Sequence, residues 1–498
     1  MEVIITTDNQ KNNTLTSSID NNIKIFKQIF STDVNDDFTI KYLQIKSLMR
    51  KGAVLFIDPL VDKQRINDHI ISPLLFTMLD NISGNIGTIL VEQVLSLKDT
   101  KNTNDINTII DEVLSGNTIL LIDKCNTAII LNTDNFQHRA IEKPTNENTL
   151  KGPKEAFTEW GEGNRSLIRK SLKTPTLVTE TLSIGKDKHR AVSLMYLNNL
   201  VNSELLSKVK ERIYSINNED IDRIVMLEQW IEDRPYSLIP TTFTTERPDR
   251  VCYFLKEGHI ALLMDSSSNV IIVPVTFWTF FHTADDMYQR WLFGNFLRII
   301  RVVAIFIAIM LPGLYIAVTN FHTDIIPTDL VIAVAASREK LPFPALVEIL
   351  LMEMSFELIR EAGVRIPTAV GPTIGIVGAL ILGQAAVEAN IVSPILVIVV
   401  ALTGLSSFAI PEQSIGFIAR ISRFIFLFAG TLGGFFGIGI VLTAAIAYTS
   451  VVESFGVPYF SPKAPHYPSS RDFFTRRPIF KLNKQPMNLE PQDSSKNE

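Results

Sequence analysis

The chain has 498 residues, which is long for a single domain, and 20% of them are charged and 46% hydrophobic. Charge is unevenly distributed, because 18 of the 171 residues from 292 to 462 are charged, about 11%, against 81 of the other 327, about 25%. Soluble domains carry about a quarter charged residues, so this distribution excludes a wholly soluble and a wholly membrane-embedded protein. The net charge of −5 gives no sign of nucleic-acid binding, and two cysteines are too few for a disulfide scaffold.

The N-terminal extension, residues 1–34, is polar. It lacks the basic start and apolar core of a cleavable secretion signal. We therefore expect the N-terminal part to stay in the cytoplasm and the first hydrophobic span to insert internally.

The next 250 residues or so contain a repeat. GNTILLIDKCNTAIIL, residues 116–131, aligns without gaps to GHIALLMDSSSNVIIV, residues 258–273, and each copy has the pattern strand, polar turn, strand. Upstream strand-like segments recur at nearly the same offset, and helix-like segments follow them. This predicts a bilobed soluble domain of α/β or α+β class with an internal duplication. We place lobe 1 at 35–145, a linker at 146–174 and lobe 2 at 175–290.

A polytopic, all-α membrane domain is predicted for residues 291–462. Its uncharged stretches reach the roughly 20 residues needed to cross a bilayer. The expected spans are about 302–323, 366–387, 389–411 and 424–452, with an amphipathic helix at 341–363. The tail, 463–498, is basic and expected to be mostly disordered.

Positive charge gives a partly conflicting orientation for these spans. Arg290, Arg298 and Arg301 precede the first span, and the tail is also basic, which predicts that both ends lie inside and that the number of crossings is even. Arg420 and Arg423, between the last two spans, would then lie outside. A fifth crossing by the helix at 341–363 would place these two arginines inside but the tail outside, so four and five crossings both stay open. We expect the arginines before the first span to snorkel at the cytoplasmic membrane surface.

The helix at 341–363 carries four carboxylates, of Glu348, Glu353, Glu357 and Glu361. The last three share one stripe of a helix and would be costly facing lipid. Two interpretations remain open, namely a water-filled cation pathway and an interfacial helix with a solvated acidic face. Because Arg360 and Arg365 lie close in sequence to Glu357 and Glu361, Glu353 is the strongest candidate for the pathway.

Two further groups are predicted to be structural. Gly430, Gly433, Gly434 and Gly437 fall on one helix face, which is typical of close helix packing. Glu246, Arg247, Asp249 and Arg250 surround Pro248, which favours a turn held by ion pairs at a domain or subunit contact. We find no nucleotide-binding loop, hydrolase elbow or metal-binding spacing of histidines, so no enzyme activity, cofactor or metal site is predicted.

Several strings resemble the A-subunit family of bacterial spore germinant receptors. They are GPKEAFTE (152–159), TERPDR (245–250), DDMYQRW (285–291), FPALVEILLMEMSFELIREAGVRIP (343–367), GQAAVEANIVSPILVIVVALT (383–403) and FGVPYFSP (455–462). The resemblance runs from about residue 152 to residue 462, with looser similarity upstream.

The resemblance implies a multi-pass subunit of a receptor in the spore inner membrane. It further implies a transporter-like B subunit that binds the nutrient germinant, a lipoprotein C subunit, and a homo-oligomeric ring that acts as a ligand-gated cation channel in spore germination. Two alternatives stay open. One is a membrane-anchored scaffold without its own pore, and the other is a secondary transporter, against which the single set of spans counts.

Overall fold

The computed structural model describes residues 13–78, 86–95, 97, 100–134, 144, 147, 149, 151–185, 190–216, 221–365, 382–467, 475–478 and 485–492. A sheet-rich N-terminal half is followed by a helical C-terminal half.

The first sheet has five strands in the order β1-β2-β4-β5-β3 and, with its helices, forms lobe 1. This lobe includes Ile19–Ile29, which the sequence places in the N-terminal extension, because Ile19, Ile23 and Phe26 pack in its core. Its strands are β1 (Phe38–Ile45), β2 (Arg50–Ile57), β3 (Thr100–Thr103), β4 (Thr118–Ile122) and β5 (Ala128–Leu131). Its helices are α1 (Ile19–Ile29), α2 (Lys63–Ile66), α3 (Ser72–Phe76), α4 (Ile86–Gln93) and α5 (Ile106–Leu114). Alternate residues of β2 point to opposite faces, so Leu55 packs under α1 and α5 while Val54 packs under α3 and α4.

The second sheet has the corresponding strand order, β6-β7-β9-β10-β8, and forms lobe 2. Its strands are β6 (Leu177–Ile184), β7 (Arg190–Leu197), β8 (Phe243–Thr245), β9 (Ile260–Met264) and β10 (Val270–Val273). Its helices are α6 (Gly161–Ser171), α7 (Ser203–Ser215), α8 (Ile224–Ile231) and α9 (Pro248–Leu255). The sequence places α6 in the linker, but Leu167 and Ile168 of this helix pack in the core of lobe 2. The helices α6 and α9 cover one face of this sheet, and α7 and α8 cover the other.

The two segments of the sequence repeat form equivalent hairpins, β4–β5 and β9–β10. Gly116 and Gly258 precede them with the same φ of +90°, a conformation that favours glycine. Lys124 and Ser266, which correspond in the repeat, also share a positive φ at the hairpin turn. Local sequence therefore specifies the same backbone path in both lobes.

A buried ion pair joins the lobes. Asp37, just before β1, accepts a hydrogen bond from Nε of Arg169 on α6 at 2.7 Å and another from the Thr179 hydroxyl on β6 at 2.6 Å. Arg165 lies 3.3 Å from the same carboxylate. Burial alone would raise the pKa of Asp37, but the two arginines and the Thr179 hydrogen bond hold the pKa below its usual value.

The C-terminal half consists of helices and a short hairpin. The helices are α10 (Ala284–Tyr288), α11 (Trp291–Phe321), α12 (Thr328–Arg338), α13 (Ala345–Arg365), α14 (Pro394–Phe408) and α15 (Gln413–Ser450), and the hairpin is β11 (Glu453–Ser454) with β12 (Val457–Pro458). By length and composition α11 and α15 could cross a membrane, whereas α14 has only 15 residues.

The expected spans match these helices unevenly. The spans at 302–323 and 389–411 correspond to parts of α11 and to α14, and the amphipathic helix at 341–363 corresponds to α13. The span at 366–387 falls mostly outside the described residues. The span at 424–452 is part of α15, which begins 11 residues earlier and contains the two arginines that the sequence assigns to a loop.

The helix α15 is not straight. Gly434 has φ of 56° and ψ of −138°, and the chain folds back there. A Cβ on Gly437 would overlap the carbonyl oxygen of Ala429, eight residues earlier. The chain then returns to lobe 2, where Tyr448 donates a hydrogen bond to the Ser237 hydroxyl at 2.9 Å. Ile415 and Ala419, near the start of α15, belong to the same buried cluster as Val251 and Phe254 of lobe 2. Both ends of α15 therefore lie beside lobe 2.

The chain after α15 packs on lobe 2 as well. The backbone N–H of Phe277 donates to the carbonyl of Tyr459 at 2.8 Å, and Trp278 Nε1 donates to that of Phe460 at 3.1 Å. In the tail, which the sequence predicts to be mostly disordered, Arg476 and Asn488 are buried. Basic composition does not reveal the contacts of Arg476, since its partners lie 181 to 190 residues earlier in the chain.

Candidate functional site

The acidic stripe of α13 meets basic residues of α15. The Arg423 guanidinium donates a hydrogen bond to the carboxylate of Glu353, and both side chains are buried. Arg423 also donates through Nε to the carbonyl of Ala308 at 2.9 Å. This pair therefore fastens α13, α15 and α11 to one another.

The Glu353–Arg423 pair has unused hydrogen-bonding capacity. Oε1 of Glu353 and Nη2 of Arg423 are buried without a hydrogen-bond partner among the described residues. The sequence ranks Glu353 as the least neutralised acid of the stripe, and the structure reverses this ranking. Spacing of three and four residues along α13 does not include Arg423, which lies 70 residues later in the chain.

The other acids of α13 are more accessible or differently paired. Glu357 accepts a hydrogen bond from Arg420 and lies 3.7 Å from Arg360, while Glu361 is exposed. Glu348 is buried and accepts a hydrogen bond from the backbone N–H of Ser393 at 3.3 Å. We call the buried Glu348 and Glu353 the inner acids of α13, and the more accessible Glu357 and Glu361 the outer acids of α13.

These contacts also explain the conflict over Arg420 and Arg423. Both arginines lie within α15, and each pairs with a carboxylate of α13. Positive charges that are neutralised in a helix–helix contact do not report the side of the membrane in the way that loop charges do.

Three of the four glycines predicted for packing contact neighbouring backbone or side chains. A Cβ on Gly430 would overlap the carbonyl of Gly313 on α11, and Gly434 lies against Phe321 and His322. Gly437 approaches Ala429 across the fold in α15. Gly433 differs, because no described atom lies within 4 Å of the position of its Cβ. The reversal at Gly434 breaks the regular 100° rotation from which the sequence predicts one common face.

The charged residues around Pro248 organise the linker between the lobes. Arg247 is fully buried and donates both to Asp249, at 2.9–3.0 Å, and to the carbonyls of Glu147 and Pro153 at 3.1 and 2.9 Å. Arg250 pairs with Glu147 at 2.7 Å and donates to the carbonyl of His282 at 2.9 Å. The carboxylate of the buried Glu246 accepts a hydrogen bond from the backbone N–H of Glu147 at 2.8 Å.

A second ionic cluster lies where lobe 2 meets α11. The carboxylate of Asp286, on α10, accepts hydrogen bonds from Arg298 at 2.9 Å and from Arg301 at 2.8 and 2.9 Å. Although burial raises the pKa of Asp286, these arginines lower it by more, so its pKa lies below the usual value. Asp286 thus holds both arginines at the start of α11, and their place at the cytoplasmic membrane surface stays a prediction.

The tail completes this cluster. The carbonyl of Arg476 accepts hydrogen bonds from Trp291 Nε1 at 2.5 Å and Asn295 Nδ2 at 3.1 Å, and its side chain donates to the carbonyl of Asp286. Asp286 is noted in the sequence only as part of the string DDMYQRW, and neither Asp286 nor Arg476 is predicted as a site residue, because these two contacting residues lie 190 positions apart in the chain. Among the described residues, no group of histidine, cysteine and carboxylate side chains has the geometry of a metal site.

Comparison with known proteins identifies the family. Residues 24–488 match the family model described as "Bacillus/Clostridium GerA spore germination protein". The chain is 38% identical over 444 residues to spore germination protein KA of Bacillus subtilis, covering 89% of this chain and 81% of that protein. It is 35% identical over 461 residues to spore germination protein GerLA of Bacillus cereus, covering 92% and 94%.

A solved structure is also similar. It is the N-terminal domain of the A subunit of the Bacillus megaterium spore germinant receptor GerK3, at 27% identity and a TM-score of 0.41, and the match covers 53% of this chain and 97% of that chain. The family model matches most of the chain, and the chain is 35–38% identical to proteins KA and GerLA. The chain therefore belongs to the Bacillus/Clostridium GerA family of spore germination proteins.

Proposed function

We propose that this chain is the A subunit of a nutrient germinant receptor in the spore inner membrane and acts with a transporter-like B subunit and a lipoprotein C subunit. Membership of a spore germination family over residues 24–488 supports a role in germination. The resemblance of the strings at 152–159, 245–250 and 285–291 supports the A subunit in particular. The germinant itself would bind through the B subunit.

We further propose that copies of the chain assemble into a ring that encloses a cation channel. The observation that carries this proposal is the uncovered surface of α12 and α13. No described residue of α12 is buried, and Leu351, Met354 and Leu358 on one side of α13 are 44–65% exposed. Contacts with further copies, repeated around an axis, would cover such faces in a closed ring.

In this ring the outer acids of α13 would attract cations. Glu357 is partly exposed and Glu361 is exposed, and rings of carboxylates favour cations. Glu353 and Glu348 are buried within a single chain. We therefore assign Glu353 to holding the helices together and Glu357 and Glu361 to the path.

The proposed orientation is multi-pass with the soluble lobes on the cytoplasmic side. The residues that follow α15 contact lobe 2 directly, which supports an even number of crossings. If α15 folds back at Gly434, its two halves would enter and leave the membrane on the same side.

A scaffold without its own pore is the second candidate, because Glu353 and Glu357 are both paired with arginines of α15. The deciding experiment measures cation currents in a planar bilayer with the purified full chain and with Glu357→Gln and Glu361→Gln. A channel requires currents whose cation preference falls in these variants and is retained in the control variant Glu388→Gln, whose carboxylate lies off α13. No current in any sample, with assembly intact, would favour the scaffold.

A further inference from the structure

A cavity of about 280 Å³ lies where lobe 2, α11 and the C-terminal segment meet. Its walls include Tyr253 and Phe254 of α9 and Trp278, with Arg298 of α11 on one side and Asn488 of the tail on another. The volume is near the lower end of small-molecule sites, which are typically about 300–1,000 Å³ and mostly apolar with a few polar groups. Neither the channel proposal nor the acidic stripe uses this cavity.

His259 lies in the wall of the cavity and has one ring nitrogen without a hydrogen-bond partner among the described residues. Its side chain lines the cavity and is only 3% exposed, and Nε2 has no hydrogen-bond partner among the described residues. The other ring nitrogen, Nδ1, lies 2.6 Å from the carbonyl oxygen of Pro274. Because a carbonyl only accepts, Nδ1 carries the proton and Nε2 of the neutral ring is an acceptor. Burial favours the neutral ring, and it lowers the pKa of His259 to about 4.

Asn488 provides a second acceptor. Its side chain lines the same cavity, its Nδ2 donates to the hydroxyl of the buried Ser461 at 3.1 Å, and its Oδ1 is buried without a partner in the described parts of the chain. A buried acceptor that lacks a hydrogen bond is unfavourable, because it has lost its hydrogen bonds to water. A ligand that donates to both atoms would replace these lost hydrogen bonds.

The charged residues of the wall argue against an ionic ligand. Arg250 and Arg298 line the cavity and disfavour a cation, although each already pairs with a carboxylate, of Glu147 and Asp286. An anion would meet the lone pairs of the two acceptors. Asp249 also lines the wall, but Arg247 and the Tyr288 hydroxyl already donate to it.

We propose that this cavity is a binding site for a small, uncharged aromatic molecule with two hydrogen-bond donors, which donates to His259 Nε2 and Asn488 Oδ1. A ligand there contacts lobe 2, the start of α11 and the C-terminal segment at once. It therefore stabilises their contact, and its binding raises the thermal midpoint of the chain.

The test uses three probes with the same aromatic ring and decreasing numbers of donors. Resorcinol has two, 3-methoxyphenol has one and 1,3-dimethoxybenzene has none. Each is titrated into the purified full chain in nanodiscs, with empty nanodiscs as the blank, and binding is followed by calorimetry. We expect affinity to fall in that order by about 5- to 10-fold for each lost donor, which corresponds to one net hydrogen bond.

Variants locate the site. His259→Phe keeps a ring and removes the acceptor. It should therefore lower the affinity for resorcinol by about 10-fold and leave the affinity for 1,3-dimethoxybenzene unchanged. The control His322→Phe makes the same substitution at the far end of α11 and should change neither affinity. If His259→Phe does not fold, Asn488→Ala replaces it with the same expectation.

Three outcomes would overturn the proposal. The first is the absence of saturable binding, in which case water satisfies the two acceptors. The second is equal affinity for all three probes, which would mean that the cavity recognises only the apolar ring. The third is tighter binding of benzoate than of resorcinol, which would make the cavity an anion site built on the arginines.

Discussion

The guanidinium of Arg423 on α15 donates a hydrogen bond to the carboxylate of Glu353 on α13, and neither side chain is more than 2% exposed. Taking two charges out of water is costly, and their attraction compensates only while both partners are present. The pair therefore makes the packing of α13 against α15 depend on both residues.

Removal of one partner should destabilise the chain more than removal of both. Glu353→Met leaves Arg423 buried and unpaired, at a cost of about 3–5 kcal/mol. Adding Arg423→Met to Glu353→Met should restore most of this loss, because the second buried charge is then also gone. The measurement is the thermal midpoint of the purified full chain.

Glu339→Gln serves as the control for the ionic pair, because this carboxylate is exposed and its loss should leave the midpoint nearly unchanged. A single Glu353→Met variant as stable as the parent would contradict the proposed fastening of α13 to α15.

The reversal of α15 at Gly434 gives a second prediction, with a control in the same helix. Gly437→Ala places a Cβ against the carbonyl of Ala429, and backbone atoms there have little room to move. We expect a loss of about 1–3 kcal/mol, as for other overpacked sites. Gly433→Ala should be neutral, since its Cβ would meet no described atom within 4 Å.

Comparison of the thermal midpoints of the two alanine variants tests this reversal. Equal midpoints would mean that the chain does not fold back at Gly434, because a straight helix treats Gly433 and Gly437 alike.

Arg247 gives a third prediction. Its guanidinium donates to Asp249 and to the carbonyls of Glu147 and Pro153, so that it holds the linker against α9. Arg247→Lys keeps the charge but loses the planar fork of donors, and we expect a substantial loss of stability. Arg190→Lys is the control, because Arg190 pairs with Asp222 at an exposed site, where such pairs contribute about 0–1 kcal/mol.

Limited proteolysis provides the readout for the linker. Faster cleavage between residues 144 and 160 in Arg247→Lys than in Arg190→Lys would support the role of Arg247, and equal rates would contradict it.

The sequence predicts local structure better than contacts between distant segments. The hairpins at 116–131 and 258–273 are recognisable because alternating apolar residues, a glycine before the strand and a polar turn lie within 16 residues of each other. The reversal at Gly434 lies in an uninterrupted apolar stretch, where composition does not distinguish a straight helix from one that reverses direction. The partners of Glu353 and Asp286 include residues 70 and 190 positions away, and no periodicity relates them.

The contact between the lobes gives the last prediction, a dependence of stability on pH. Asp37 has a folded-state pKa below its usual value because Arg169, Arg165 and the Thr179 hydroxyl stabilise the carboxylate despite its burial. A carboxyl whose pKa is lower in the folded state contributes stability above its unfolded pKa of about 3.9, and this contribution is lost as the pH falls through the folded value. Asp37→Asn should therefore be less stable than the parent at pH 7, by about 3 kcal/mol or more for a broken buried pair. The difference should shrink steadily as the pH falls below about 4. Urea unfolding of the full chain, followed at pH 7, 5 and 3, measures it. A gap that stays constant over this range would show that Asp37 acts through its shape alone, and a gap that widens towards acid would contradict the sign of the shift.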